Sequence, residues 1–252
     1  MKIVYVVPGP MDLEEMERRG EVLKKWAFNE TEVDIVRVLE GPRSIESKYE
    51  EYLSIPATSS KVFEMEKAGY DAAILGCAGD PGLDGMREIT QNMLVVGPAE
   101  TGLLTAAMLG RRISVLTVDP GAVSVFEELG YKAGIKDKLV SVHSVDIPVL
   151  ELRQDRAGTI ARMKALGEKV MAEDKADVFV LGCMSMGFLE MEAELSEALG
   201  VPVINPALVA LKMGEGLISA GLIHSPKAYL TPAKISSGRV QSLSELYVKV
   251  NE

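Results

Sequence analysis

The chain has 252 residues, 47% hydrophobic and 25% charged: enough for a large core, and ordinary for a globular protein. A formal net charge of −10 and a pI near 4.9 argue against nucleic acid and anionic membrane surfaces as partners. No run of about 18 apolar residues exists to span a membrane. Two distant cysteines make no disulfide framework, and two histidines without a Cys-x-x-Cys motif make a zinc site a poor fit.

The opening apolar run, Ile3 to Val7, is too short for a signal peptide and reads as a strand ended by Pro8-Gly9-Pro10. A cytoplasmic location is the expectation, which suits reduced thiols. Asp12 with Glu15 has capping-box character and predicts a helix to about Phe28. Glu32 to Leu39 reads as a second strand. The turn Gly41-Pro42 leads into a polar segment, expected to be mobile, up to Ser60, and a helix is expected over Lys61 to Ala68. After the strand ending at Cys77, Asp80-Pro81 reads as an N-cap followed by Pro at N1, opening a helix to Thr90. A short strand over Leu94 to Gly97 and a helix from Pro98 to Leu109 follow.

A strand over Ile113 to Val118, ended by Asp119-Pro120-Gly121, starts the series again. A helix (Ala122 to Leu129), a strand (Leu139 to Val145) and a long amphipathic helix (Asp155 to Glu173) lead to the strand ending at Cys183. A helix from Phe188 to Leu199, a strand over Val201 to Ile204 and an Asn205-Pro206 helix start complete the unit. Alternating strands and helices predict an α/β fold with mostly parallel sheets.

The series is a repeat. Tyr70-Asp-Ala-Ala-Ile-Leu-Gly-Cys77 returns as Ala176-Asp-Val-Phe-Val-Leu-Gly-Cys183; Cys183 lies 106 residues after Cys77, as Asp177 does after Asp71. The expected fold is therefore two pseudo-symmetric domains, each a mostly parallel sheet flanked by helices, with an active site in the cleft between them. The expected lobes are residues 1–110 with 207–252, and 111–206. A thiol at the carboxyl end of a buried strand stands where α/β proteins bind ligands. A lone buried cysteine is more often packing; two at matched repeat positions favour a role in chemistry.

Other patterns carry less. Gly76-Cys-Ala-Gly79-Asp-Pro-Gly82 matches neither G-x-G-x-x-G nor the P-loop. Cys183-Met-Ser185-Met-Gly187 lacks the first glycine of the nucleophile elbow, and a serine hydrolase would need His224 as base. His224 reads instead as a surface or capping residue. Glu190, Glu192, Glu194 and Glu197 read as a solvated helix face, and Met184, Met186 and Met191 as packing.

At the cysteines the sequence resembles the aspartate/glutamate/hydantoin racemase superfamily over nearly the whole chain. Gly41-Pro42-x-Ser44-Ile45-Glu46-Ser47, Gly76-Cys77-x-x-Asp80-Pro81-Gly82, Val95-Val96-Gly97-x-x-Glu100, Ile113-Ser-Val-Leu-Thr117 and Leu181-Gly182-Cys183-x-x-Met186 carry the resemblance. The first two point to its hydantoin racemase branch. The resemblance implies a cofactor-independent racemase of 5-substituted hydantoins or allantoin, with Cys77 and Cys183 as catalytic bases. It implies a substrate pocket at Pro8, Ala78, Gly79, Thr117, Met184 and Ser185, with no metal. Val7-Pro8-Gly9 lacks the asparagine common beside that proline, and Ala78 replaces a common hydroxyl or amide residue; both departures bear on the substrate.

Inverting a carbon acid needs a base on one face and an acid on the other, and a thiol can be either. Two thiolates across one site would repel, so one thiolate and one thiol are expected at rest. The residues flanking the cysteines carry no charge, which favours a neutral five-membered ring over a free amino acid. A small-molecule substrate and a homo-oligomer are expected. Remaining alternatives are an aspartate/glutamate-type racemase, a maleate isomerase or arylmalonate decarboxylase of the same superfamily, a non-catalytic small-acid binding module, and two structural thiols.

Overall fold

The computed structural model describes residues 1–240 and 242–246. In the first unit, β1 (Lys2–Val7), α1 (Leu13–Trp26), β2 (Glu32–Arg37), α2 (Lys48–Lys67), β3 (Ala72–Leu75), α3 (Leu83–Ile89), β4 (Leu94–Val96) and α4 (Pro98–Leu109) alternate. The second unit has β5 (Ile113–Thr117), α5 (Val123–Lys132), β6 (Leu139–Ser144), α6 (Arg156–Glu173), β7 (Val178–Leu181), α7 (Met184–Gly187), α8 (Glu192–Leu199), β8 (Val203–Ile204) and α9 (Pro206–Ser219).

The strands form two four-stranded sheets, ordered β2-β1-β3-β4 and β6-β5-β7-β8, and every pairing is parallel. The inner strands are buried along their length, as sheets covered on both faces require. One apolar core runs through both units, joining Ile3, Tyr5 and Ile74 to Val115, Val180 and Phe188. Two further clusters lie on the outer faces: Val4, Val62, Leu83 and Met86 in the first unit, Leu116, Met163, Phe179 and Leu195 in the second. Helix α9 crosses back to pack on α4, β3 and β4.

Three local expectations are corrected. The polar segment before Ser60 is not a loop: α2 begins at Lys48, capped by Ser47, and runs through Pro56. Its buried positions include Glu51, Ser54, Thr58 and Val62, a helical spacing filled mostly with polar residues. Hydroxyl bonds from Ser54 to the Glu51 carbonyl and from Thr58 to the Ser54 carbonyl satisfy that stripe. The second correction concerns Asp80, which does not cap the helix after it; α3 starts two residues past Pro81 with Gly82 at its N-cap. Asp80, at φ 49°, reaches across to α4 and accepts the N–H groups of Ala99 (3.0 Å) and Glu100 (2.8 Å). Finally, the helix expected from Phe188 begins only at Glu192, as α8: the short α7 ends at Gly187, before that range, and Glu190 at φ 49° breaks the chain between them. Glu190 and Glu194 are not merely solvated, since they pair with Lys25 and Arg156.

The expected caps at Asp12 and Asn205 are in place, and Asp155, expected as the first residue of the long helix, is its N-cap. His224 caps a sheet edge: its Nε2 accepts the Val95 N–H of outer strand β4 at 2.7 Å.

Candidate active site

In each sheet the chain direction of connection reverses between the two inner strands, β1 and β3 or β5 and β7. The carboxyl ends of strands at such a switch point form a crevice. Cys77 and Cys183 sit two residues past β3 and β7, at these two crevices. The glycine before each cysteine is required by close packing. A Cβ on Gly76 would lie 2.5 Å from the Val6 carbonyl, and one on Gly182 would lie 2.7 Å from Thr117 Cβ. The equivalent bonds, Gly76 N–H to the Val6 carbonyl and Gly182 N–H to the Leu116 carbonyl, are both 2.8 Å.

The crevices open into one cavity of about 550 Å³. Cys77, Cys183, Pro8, Ala78, Gly79, Thr117, Met184 and Ser185 all line it. Thr117 Oγ1 donates to the Gly182 carbonyl at 3.3 Å, and the Gly79 N–H donates to Cys77 Sγ at 3.4 Å.

Sequence reasoning missed the charged wall. Glu15, Arg18 and Arg19 from α1, Glu51 from α2 and Glu46 from the preceding loop also line the cavity. Glu15 accepts from Arg18 and from Arg19, each at 2.7 Å. Burial opposes its ionisation, but these two guanidinium groups hold its pKa down to about 2. The 3- and 4-residue spacing of Glu15, Arg18 and Arg19 on one helix was the available signal; nothing in it pointed toward Cys183. The residues flanking the cysteines are uncharged, as read from the sequence, and the charges lie on the opposite wall.

Burial raises both thiol pKa values above the ordinary range. At Cys77 only the Gly79 N–H opposes this, while Glu51, Cys183 and Asp80 add to the rise. At Cys183 the N–H groups of Met186 and Ser185, the Arg19 charge and the Ser185 hydroxyl oppose it. Cys183 is buried and Cys77 partly buried, each has at least one N–H donor, and the two lie close enough to influence each other electrostatically. Among the described residues no cluster of three or more His, Cys, Asp or Glu side chains could hold a metal ion, and no helix is long and apolar enough to cross a membrane.

The fold and site define a two-lobed α/β protein with paired thiols in a shared cleft. Residues 15–214 match the model of the Asp/Glu/hydantoin racemase family, and the chain belongs to that family, an isomerase of the racemase class. It is 35% identical to a hydantoin racemase of Pseudomonas sp. (strain NS671) over 212 residues, 84% of each chain. The allantoin racemase from Klebsiella pneumoniae superposes with a TM-score of 0.86 at 28% identity, over 93% of this chain and 94% of that one. The allantoin racemase from Pseudomonas fluorescens gives 0.84 at 29% identity, over 92% and 97%.

Proposed function

We propose that this protein racemises 5-substituted hydantoins or allantoin, without a cofactor, using Cys77 and Cys183 as base and acid on opposite faces of the ring. The observation that carries the reading is the matched pair of thiols on one cavity. In this reading the lobe holding Cys77 comprises residues 1–110 with the C-terminal part of the chain from 207, of which 241 and 247–252 lie outside the described residues. The lobe holding Cys183 comprises 111–206.

One thiolate removes the proton from C5. The electron pair moves onto the adjacent carbonyl oxygen, and the opposite thiol returns a proton to the other face. Backbone N–H groups at the two cysteine turns are suited to stabilise the enolate oxygen. Pro8, Ala78, Gly79, Thr117, Met184 and Ser185 shape the pocket around the ring. The residues flanking the cysteines are uncharged, which supports a neutral ring over a zwitterion; on the charged wall Glu15 is taken up by Arg18 and Arg19, and Glu51 faces Lys48 at 3.6 Å. A free amino acid would need buried partners for both of its charges.

The test is proton exchange at the stereocentre in D₂O, followed by NMR, for a 5-substituted hydantoin, allantoin, aspartate and glutamate. Faster deuterium uptake into a hydantoin or allantoin is expected. Faster exchange into either amino acid would overturn the substrate class. Activity is expected to survive exhaustive EDTA treatment and dialysis; restoration by an added metal or cofactor would overturn cofactor independence.

A further inference from the structure

The two cysteines occupy matched positions, yet the helices facing them across the cavity differ. Helix α1 brings Glu15, Arg18 and Arg19 to the cavity wall, while α5 brings Val125 and Phe126. Arg19 is only 6% exposed, and its charge reaches the second unit. Its Nη2 donates to Ser185 Oγ at 2.9 Å, and its guanidinium lies 4.7 Å from the Phe188 ring centroid. Ser185, two residues after Cys183, is one of the groups whose N–H and hydroxyl favour the Cys183 thiolate.

Cys77 has the opposite surroundings. A Cβ on Gly79 would lie 3.5 Å from Val125 Cγ1 and 2.3 Å from Glu51 Oε1, so an apolar side chain and a buried carboxyl group pack against the turn after this thiol. Asp80 lies on the same turn. The charged and titratable groups facing Cys183 are Arg19, Tyr5 and Cys77, with Glu15 behind Arg19; those facing Cys77 are Glu51, Asp80, Tyr5 and Cys183.

We propose that Arg19 is a positioning residue for the thiol pair: through Ser185 it holds Cys183 as the resting thiolate and leaves Cys77 as the resting thiol. A cation beside a thiolate favours it, and a carboxylate beside a thiol disfavours its ionisation. The inference rests on the two-cysteine reading above. The resting enzyme accepts directly the enantiomer whose C5–H faces Cys183. Cys183 gains that proton and Cys77 gives up its own, so each turnover leaves the charge on Cys77. One proton must then pass from Cys183 to Cys77, directly or through solvent, to restore the resting state.

The test is limited labelling with iodoacetamide across pH, with the two cysteine peptides quantified separately by mass spectrometry. In the wild type the Cys183 midpoint is expected below the Cys77 midpoint. Arg19→Met should raise the Cys183 midpoint by a unit or more, slowing labelling below it about tenfold for each unit, with no comparable rise at Cys77. Arg19→Lys, which keeps the charge, should restore most of the difference. A lower midpoint at Cys77, an unmoved Cys183 midpoint in Arg19→Met, or equal movement of both would overturn the proposal. If Arg19→Met does not fold, the wild-type order and the Lys variant decide. Labelling reads ionisation and not turnover, so full racemisation by Cys183→Ser would sink the catalytic reading separately.

Discussion

Asp80 offers the sharpest test of how the first crevice is held together. Its carboxylate accepts two backbone N–H groups at the start of α4, and it does so from a left-handed backbone position, with only 6% of the residue exposed. In Asp80→Ala both donors lose their partner. The buried Ala99 N–H costs about 1–3 kcal/mol and the half-buried Glu100 N–H less. Alanine at φ 49° adds about 1 kcal/mol of strain. The expected loss is roughly 3 kcal/mol, a fall in Tm of about 6–12 °C for a chain of this size. Asp80→Asn keeps one acceptor and tolerates the left-handed backbone, so it should lose about 1–2 kcal/mol. Thermal and urea unfolding of the three proteins at constant pH measure the ladder directly. An Ala variant within about 0.5 kcal/mol of wild type, or Ala and Asn variants of equal stability, would refute the reasoning.

Cys77→Ser and Cys183→Ser should each lose racemisation by several orders of magnitude while keeping wild-type circular dichroism; full activity in either removes the two-base assignment. Gly182→Ala should destabilise the protein by roughly 1–3 kcal/mol, since its Cβ would meet the Thr117 backbone at 2.9 Å, and an unchanged unfolding midpoint would contradict that packing. Glu15, held at about 2 against an unfolded value of 4.5, contributes stability above pH 4.5 that fades as the pH falls toward 2. Wild type should therefore lose more stability than Glu15→Gln across that window, and parallel acid unfolding curves would count against it. His224, with its pKa lowered to about 4 chiefly by burial, must be neutral to accept from Val95. Its contribution is full above pH 6.5 and is lost as the pH falls through 4, so exchange of the Val95 amide should speed up over that range; pH-independent protection there would refute this.

The architecture was legible because its signals are local. Buried parallel strands read as continuous apolar runs, Pro at N1 and polar caps marked helix starts, and the repeated Gly-Cys step fixed the pairing of the units. The cavity-lining positions also came from motifs, since the family pattern clusters at strand ends. What escaped was carried by polar groups satisfied through tertiary contacts. The buried stripe of α2 is built from Glu51, Ser54 and Thr58, so hydrophobic periodicity could not find it. Asp80 followed by Pro81 has the local form of an N-cap, but its partners lie about twenty residues on. Arg19 lies 166 residues from Ser185, and no spacing rule connects them.

The doubled strand order has a consequence for how such a site can change. If one half-length chain formed the site as a two-fold dimer, each neighbour of one thiol would be duplicated beside the other. Carrying both copies in a single polypeptide breaks that bond. Ala78 follows one cysteine and Met184 the other, and α1 brings charged side chains to the cavity while α5 brings Val125 and Phe126. A substitution on one side of the cleft leaves the other side as it was. The two sides of the cleft can therefore be tuned separately, a freedom unavailable to a symmetric assembly of identical halves.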